Sequence, residues 1–252
     1  MLKPENKINM RSGENCFSPE KPLSREEVKG FIKQGKECLN ELIPLLNLIN
    51  WEKYGEKTDE WPLARDLRFV IGEIIRNDSG AVPDIARFLK SSAWRIRWGI
   101  ISVLLDEEVK DPALVPFLIL LLEDENKSIR RGAVRLLAVQ PAEDAGAILA
   151  EVLVNEKDQF VLIDVAKGLL ERGDSRGEKV MRKILFESPH WAARASAARC
   201  LGIVKNNEAF NLLTEALPKE GFQPVVAQII ESIRRHTGLT DDDVRRRWLN
   251  VR

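Results

Sequence analysis

The feature that most constrains this chain is a recurrence. The dipeptide Ile96-Arg97 returns as Ile129-Arg130 and, in weaker form, as Val161-Leu162, Ala193-Arg194 and Val225-Val226, at steps of 33, 32, 32 and 32 residues. Leu67-Arg68 stands 29 residues upstream of the first of these. A fixed period in this range marks a repeat array, in which a unit that cannot bury its apolar face alone buries it against its neighbours. Residues 92–123 show the design most clearly: two apolar helical stretches with an acidic, proline-marked break between them.

Each unit reads as two helices. One type, B, carries the dipeptide and is expected near residues 61–76, 93–105, 127–139, 158–172, 189–204 and 221–236. The other, A, precedes each B, near 39–49, 80–90, 112–123, 142–154, 174–187 and 206–218. Counted from the Arg97 slot, B positions −1, +3, +4, +6 and +7 are apolar: Ile129, Ala133, Val134, Leu136 and Leu137 in one unit, Ala193, Ala197, Ala198, Cys200 and Leu201 in another. The last unit lapses once, at Ser232. Helix punctuation agrees. Pro112, Pro189 and Pro224 fall in first turns, where a missing N–H costs least. Asp111 and Asp158 suit N-caps, and Gly173 and Gly238 suit the position just past a helix end. No stretch alternates with period two between hairpin signals, so no strands are expected. The fold class that follows is an all-α solenoid of about six stacked antiparallel helix pairs.

Residues 1–23 lack apolar periodicity and are expected to be a disordered tail. Ser24 and Glu27 have the spacing of a capping box that opens the ordered chain. Residues 24–60 are assigned to a helical N-terminal cap, kinked at Pro44, followed by a polar connection holding Trp51, Tyr54 and Trp61. Either those aromatic rings fold back over the cap, the expected case, or the connection is functional in its own right. The array occupies 61–239, and 240–252 form a C-terminal capping helix.

Composition narrows the function classes. The 39 Lys and Arg balance 39 Asp and Glu, which argues against a bulk polyelectrolyte partner while leaving local patches open. Cys16, Cys38 and Cys200 are odd in number and unpatterned, as suits a reducing cytosol. The N-terminal stretch has no apolar signal-peptide core, and the longest apolar run, residues 114–122, is too short to span a bilayer. A soluble cytoplasmic protein without a membrane partner is therefore expected.

Leu121, Leu122 and Asp124, followed by Ile129, Arg130, Ala133 and Leu136, resemble HEAT repeats. The short period is similar to HEAT-like units of the phycobilin-lyase type. Residues 235–248, with His236, Gly238, Asp243 and Trp248, resemble the closing segment of bacterial HEAT proteins. The resemblance covers about residues 61–250 and implies a HEAT-like superhelix. It also implies a ladder in which a loop Asp pairs with the B-helix Arg six residues later. Only Asp124 and Arg130 keep that spacing. Arg97 and Arg194 face Ser91 and Ser188, and Leu162 stands in a third slot, so the ladder is expected to be degenerate.

No catalytic constellation is specific. His190 and His236 lie on different repeats with no His-Glu pairs, so the metal-binding pattern of HEAT-like deoxyhypusine hydroxylases is not matched, and neither a metal site nor a cofactor is expected. Cys200 occupies a core slot and should be buried. Asp241, Asp242 and Asp243 read as an acidic helix start.

B positions +1 and +5 are not needed for stacking and should face outward, on the wall that is concave in HEAT solenoids. There they form a cationic strip edged by tryptophans: Trp98, Arg131, Arg135, Lys167 and Arg199. Nearby first-turn residues add Trp94, Arg95, Lys127 and Trp191. Arg and Trp are enriched in binding hot spots. The strip is read either as a docking groove or as a solvated face on which Trp94 or Trp98 covers a joint between repeats. As a groove it points to a non-catalytic scaffold for a protein or peptide with acidic or aromatic anchors. Nucleic-acid binding through the Arg/Trp strip is one alternative; a chaperone subunit of the bilin-lyase kind is another, resting on fold analogy.

Overall fold

The computed structural model describes residues 21–49, 62–204 and 206–249. The sequence expectations for the tail up to residue 20, for Trp51, Tyr54 and Trp61, and for Cys16 lie outside the described residues. Within them every regular element is helical. The chain divides into two compact units, Met1–Leu136 and Leu137–Arg252.

The first unit opens with α1 (Arg25–Gln34), whose capping box is formed: the Glu27 N–H donates to Ser24 Oγ at 3.2 Å and the Ser24 N–H to Glu27 Oε2 at 2.7 Å. Leu23, just before it, is buried, and its N–H donates to Asp66 Oδ2. A 3-10 turn (Gly35–Cys38), α2 (Leu39–Leu42) and a second 3-10 segment (Ile43–Leu48) follow, the last carrying Pro44 at its start. Next come α3 (Pro62–Asn77), α4 (Val82–Ala86) between two 3-10 turns, and α5 (Trp94–Asp106). A turn at Pro112–Leu114 leads into α6 (Val115–Leu121); α7 (Lys127–Val139) contains the boundary between units. A-type helices here are short because prolines interrupt them: Pro83, Pro112 and Pro116 each sit at a first-turn position, and each removes a donor from any longer helix.

The second unit continues with α8 (Ala145–Asn155), α9 (Gln159–Glu171), α10 (Ser175–Glu187), α11 (Trp191–Leu201), α12 (Asn207–Ala216), α13 (Gln223–Thr237) and α14 (Asp241–Trp248). Asp158, Asp174, Asn206 and Thr240 cap their helices through side-chain acceptors. Gly173 and Gly238 take φ of 75° and 72°, the left-handed conformation that a C′ position uses. Pro189 is a correction: it lies outside α11, whose N-cap is His190.

The B template accounts for the core. In all six B helices (α3, α5, α7, α9, α11 and α13) positions −1, +3, +4, +6 and +7 are buried. Even the polar lapse, Ser232, is fully buried, with its Oγ 3.4 Å from Gln228 Nε2. Burying one such aliphatic side chain contributes about 1.5–3 kcal/mol, so the repeated stripe outweighs any single polar contact. Backbones approach closely where α10 crosses α9. There a Cβ on Gly177 would stand 2.4 Å from the Ala166 carbonyl oxygen, so the backbones approach too closely for any side chain.

Candidate partner-binding faces

What joins successive repeats also decides which residues remain available. Arg97 and Arg194 take their acids from beyond their own loops. At three slots the B-helix guanidinium takes its own loop's backbone carbonyl six residues back: Arg97 Nη1 to Ser91 O at 2.7 Å, Arg130 Nη1 to Asp124 O at 2.8 Å, Arg194 Nη1 to Ser188 O at 2.9 Å. The acid comes from the loop of the next repeat. Arg97 Nε donates to Asp124 Oδ2 at 2.7 Å, and Arg194 holds Glu220 through two bonds, Nε to Oε2 at 2.7 Å and Nη2 to Oε1 at 3.1 Å. The ladder is degenerate, as expected, and what is corrected is its direction at Arg97 and Arg194. Searching six residues back finds a carbonyl; the carboxylate lies a full repeat ahead. At the slot holding Leu162 a neutral bond is found instead, Ser188 Oγ donating to Gln159 Oε1 at 2.7 Å.

These joints are largely dry. The Arg97 and Asp124 side chains are 10% and 6% exposed. Burial pushes the Glu220 carboxyl up, but its hydrogen bonds from Arg194 and the Phe222 N–H, with the Arg194 charge, hold it below the ordinary carboxylate value. Cys38 is also buried, its thiol pushed up to about 11, mainly by desolvation. Cys200 is buried as expected. His236 is committed to structure: Nε2 lies 2.9 Å from the Leu201 carbonyl oxygen, at the end of α11.

Among the expected outward positions of B helices, +1 and +5, all are accessible except one. Ile163 is the correction: it is 2% exposed and belongs to the core of the second unit. In the first unit, Trp94 is half-buried under Arg95, whose guanidinium carbon lies 5.5 Å from the ring centre. Trp98 covers a joint. Its ring lies 3.5 Å from where a Cβ of Gly132 on α7 would stand. Lys127 and Arg135 are exposed and Arg131 is half-buried. The structure thus keeps three cations accessible on α7, while the two tryptophans serve packing.

In the second unit, Lys167 is paired with Glu171 on its own helix, Nζ to Oε1 at 2.8 Å. Arg199 is exposed, and among the described residues no carboxylate pairs with it. Trp191 is 51% exposed and tilts against Phe222, 43% exposed, with ring centres 5.4 Å apart. The sequence template does not reach Phe222, because it precedes α13 as its N-cap, off the +1/+5 pattern; only its position one repeat minus one residue after Trp191 hints at the pair.

Among the described residues no three His, Cys, Asp or Glu side chains come together as a metal site, and no helix is long and apolar enough to cross a membrane. The fold is thus of the all-α solenoid class, built from repeated helix pairs. A family model of HEAT repeats matches residues 82–169 and 147–234, more than half the chain, and the protein belongs to the HEAT-repeat family. No curated protein sequence matches it. Similar solved structures include human deoxyhypusine hydroxylase in complex with glycerol, at 16% identity over 84% of this chain and 79% of that one, with a TM-score of 0.39. An engineered protein is similar at 16% identity over 84% of this chain and 96% of the other, with a TM-score of 0.42.

Proposed function

We propose that this HEAT-repeat chain is a non-catalytic scaffold that holds a protein partner on the outward faces of its B helices. The observation that supports it is the division of labour along each B helix. Five positions per repeat are consumed by the core, while +1 and +5 stay accessible in every repeat but for Ile163 and, apart from Trp98 over its joint, lie outside the buried stripe. On α7 those positions hold Arg131 and Arg135, with Lys127 one turn before, which favours acidic anchors on the partner. Balanced overall charge favours a protein over a nucleic acid. The unpatterned cysteines favour a cytoplasmic setting.

The test is affinity capture from native extract with the wild-type chain and with Arg131→Glu/Arg135→Glu. Loss of a captured protein with the double variant, and salt-dependent recovery with the wild type, are expected. Undiminished recovery of every captured protein would overturn the α7 face as a docking surface.

A further inference from the structure

Between α11 and α13 the second unit carries a surface whose large side chains lie outside the core, with Ala195 half-buried against it. On α11 the residues Trp191, Ala195 and Arg199 follow at i, i+4 and i+8, along one line of the helix. Ala227 on α13 is exposed beside them in the same repeat position as Ala195. The two helices pack directly on one another. The result is a valley with a low floor of two alanines, an aromatic lip at one end and a cation at the other. The lip is the exposed Trp191–Phe222 pair, and single-ring exposure is ordinary where two contiguous half-exposed rings are not. At the far end, Arg235 is answered by Glu231 and Lys167 by Glu171, so that Arg199 is left without an acid among the described residues.

Resting on the scaffold reading above, we propose that this valley docks an amphipathic α-helical segment of a partner protein, with a bulky apolar anchor against Trp191 and Phe222 and a carboxylate against Arg199. Three features select that occupant. Small floor residues let a guest backbone approach, and a helix in the valley packs at the usual distance of about 8–10 Å from each neighbour. Among the described residues every regular element is helical, so they offer no sheet edge on which an extended peptide could add a strand. The spacing sets the motif: eight residues of α11 rise about 12 Å, so a guest lying along it meets lip and cation with side chains seven or eight positions apart on one face.

The probe is a stapled, fluorescein-labelled peptide of about 15 residues, since shorter or unstapled helices are marginal in water. It carries Leu and Glu seven positions apart on an Ala-rich face; a control places them five apart, on different faces. The expected result by fluorescence anisotropy is saturable binding of the first peptide, weakened at least about tenfold by Trp191→Ala and by Arg199→Glu, each worth about 1.4 kcal/mol or more. A probe with Lys in place of Glu should recover binding to the Arg199→Glu chain. Both substituted side chains are surface residues, and thermal melts by circular dichroism check that the variants remain folded. Equal binding of the two spacings, indifference to both substitutions, or self-association of the chain that Trp191→Ala abolishes would each overturn the proposal. So would preferential, Arg199-dependent binding of a single-stranded oligonucleotide. Captured proteins that survive Trp191→Ala but not the α7 charge reversal would sink the valley and leave the scaffold reading standing.

Discussion

The two units solve the same packing problem with different A helices. In the first, α4 and α6 are short and flanked by 3-10 turns, each broken at a proline. In the second, α8, α10 and α12 run unbroken for ten to thirteen residues. The B helices are long in both units: 16 and 13 residues in α3 and α5, and 13, 11 and 15 in α9, α11 and α13. The B stripe has no proline in its five buried slots, whereas the A helices of the first unit carry prolines at their starts. The joints differ in parallel. The Arg97–Asp124 bond is drier than the Arg194–Glu220 pair, at 10% and 6% exposure against 17% and 9%.

That difference makes the largest prediction. Arg97→Ala leaves the Asp124 carboxylate buried without its cation and two loop carbonyls without a donor, a loss of about 3–5 kcal/mol. Arg194→Ala, at the wetter joint, should lose roughly half as much, since water can reach the orphaned acid. Urea titrations of the two variants decide it. Equal losses would break the comparison, and would mean that the first unit's drier joint gives it no special weight. Arg97→Met with Asp124→Leu should recover only the part of the loss that comes from the unpaired charge, because the Ser91 and Ser92 carbonyls and the Asn126 N–H stay without their partners.

The second prediction concerns the continuous A helices. In solution alone, Gly177→Ala would favour a helix by about 1 kcal/mol. Here its Cβ would meet the Ala166 carbonyl oxygen at 2.4 Å and the Leu170 amide nitrogen at 3.0 Å, and neither is a flexible side-chain end. A net destabilisation of about 1–3 kcal/mol is expected, through overpacking at a backbone crossing. A rise in melting temperature would show that α9 and α10 can part, and that a tight crossing is not what keeps the second unit's A helices long.

How much of this was legible in sequence follows the same physics. The B template was readable at every slot because burial repeats a single requirement, down to Cys200 and the lapse at Ser232. The caps at Ser24, Asp111 and Asp158 were readable because a cap is a local bond. The joints were misread because a local spacing, Asp124 to Arg130, was followed where the bond runs a whole repeat ahead. Ile163 shows the limit of a face argument: position +1 is outward only while nothing covers it. Phe222 was invisible to the template because an N-cap residue lies outside the helical register, although one repeat earlier Trp191 marks the neighbouring position.

The smallest effect, and the sharpest on the second joint, is its pH response. Glu220 is held below the ordinary carboxylate value in the folded chain despite burial, through Arg194 and the backbone N–H groups. A group whose folded pKa is depressed contributes stability that is fully present above its unfolded pKa. That contribution is lost as pH falls through the folded value. For Glu220 the loss therefore begins below about pH 4.5. Asp174 overlaps it lower down: the side-chain and backbone bonds from Arg176 hold its carboxyl at about 2, so its window runs from 3.8 downward. Asp174 is a surface group, screened by water and salt, and adds little. Glu220→Gln keeps a hydrogen-bonding side chain but removes the titrating charge. Melting temperatures measured from pH 7 down to pH 3 should then fall less steeply below pH 4.5 than in the wild type, with Asp174→Asn nearly unchanged. If Asp174→Asn flattened the acid limb and Glu220→Gln did not, the ion pair between repeats would be energetically silent, and the second unit would be held by its apolar stripe alone.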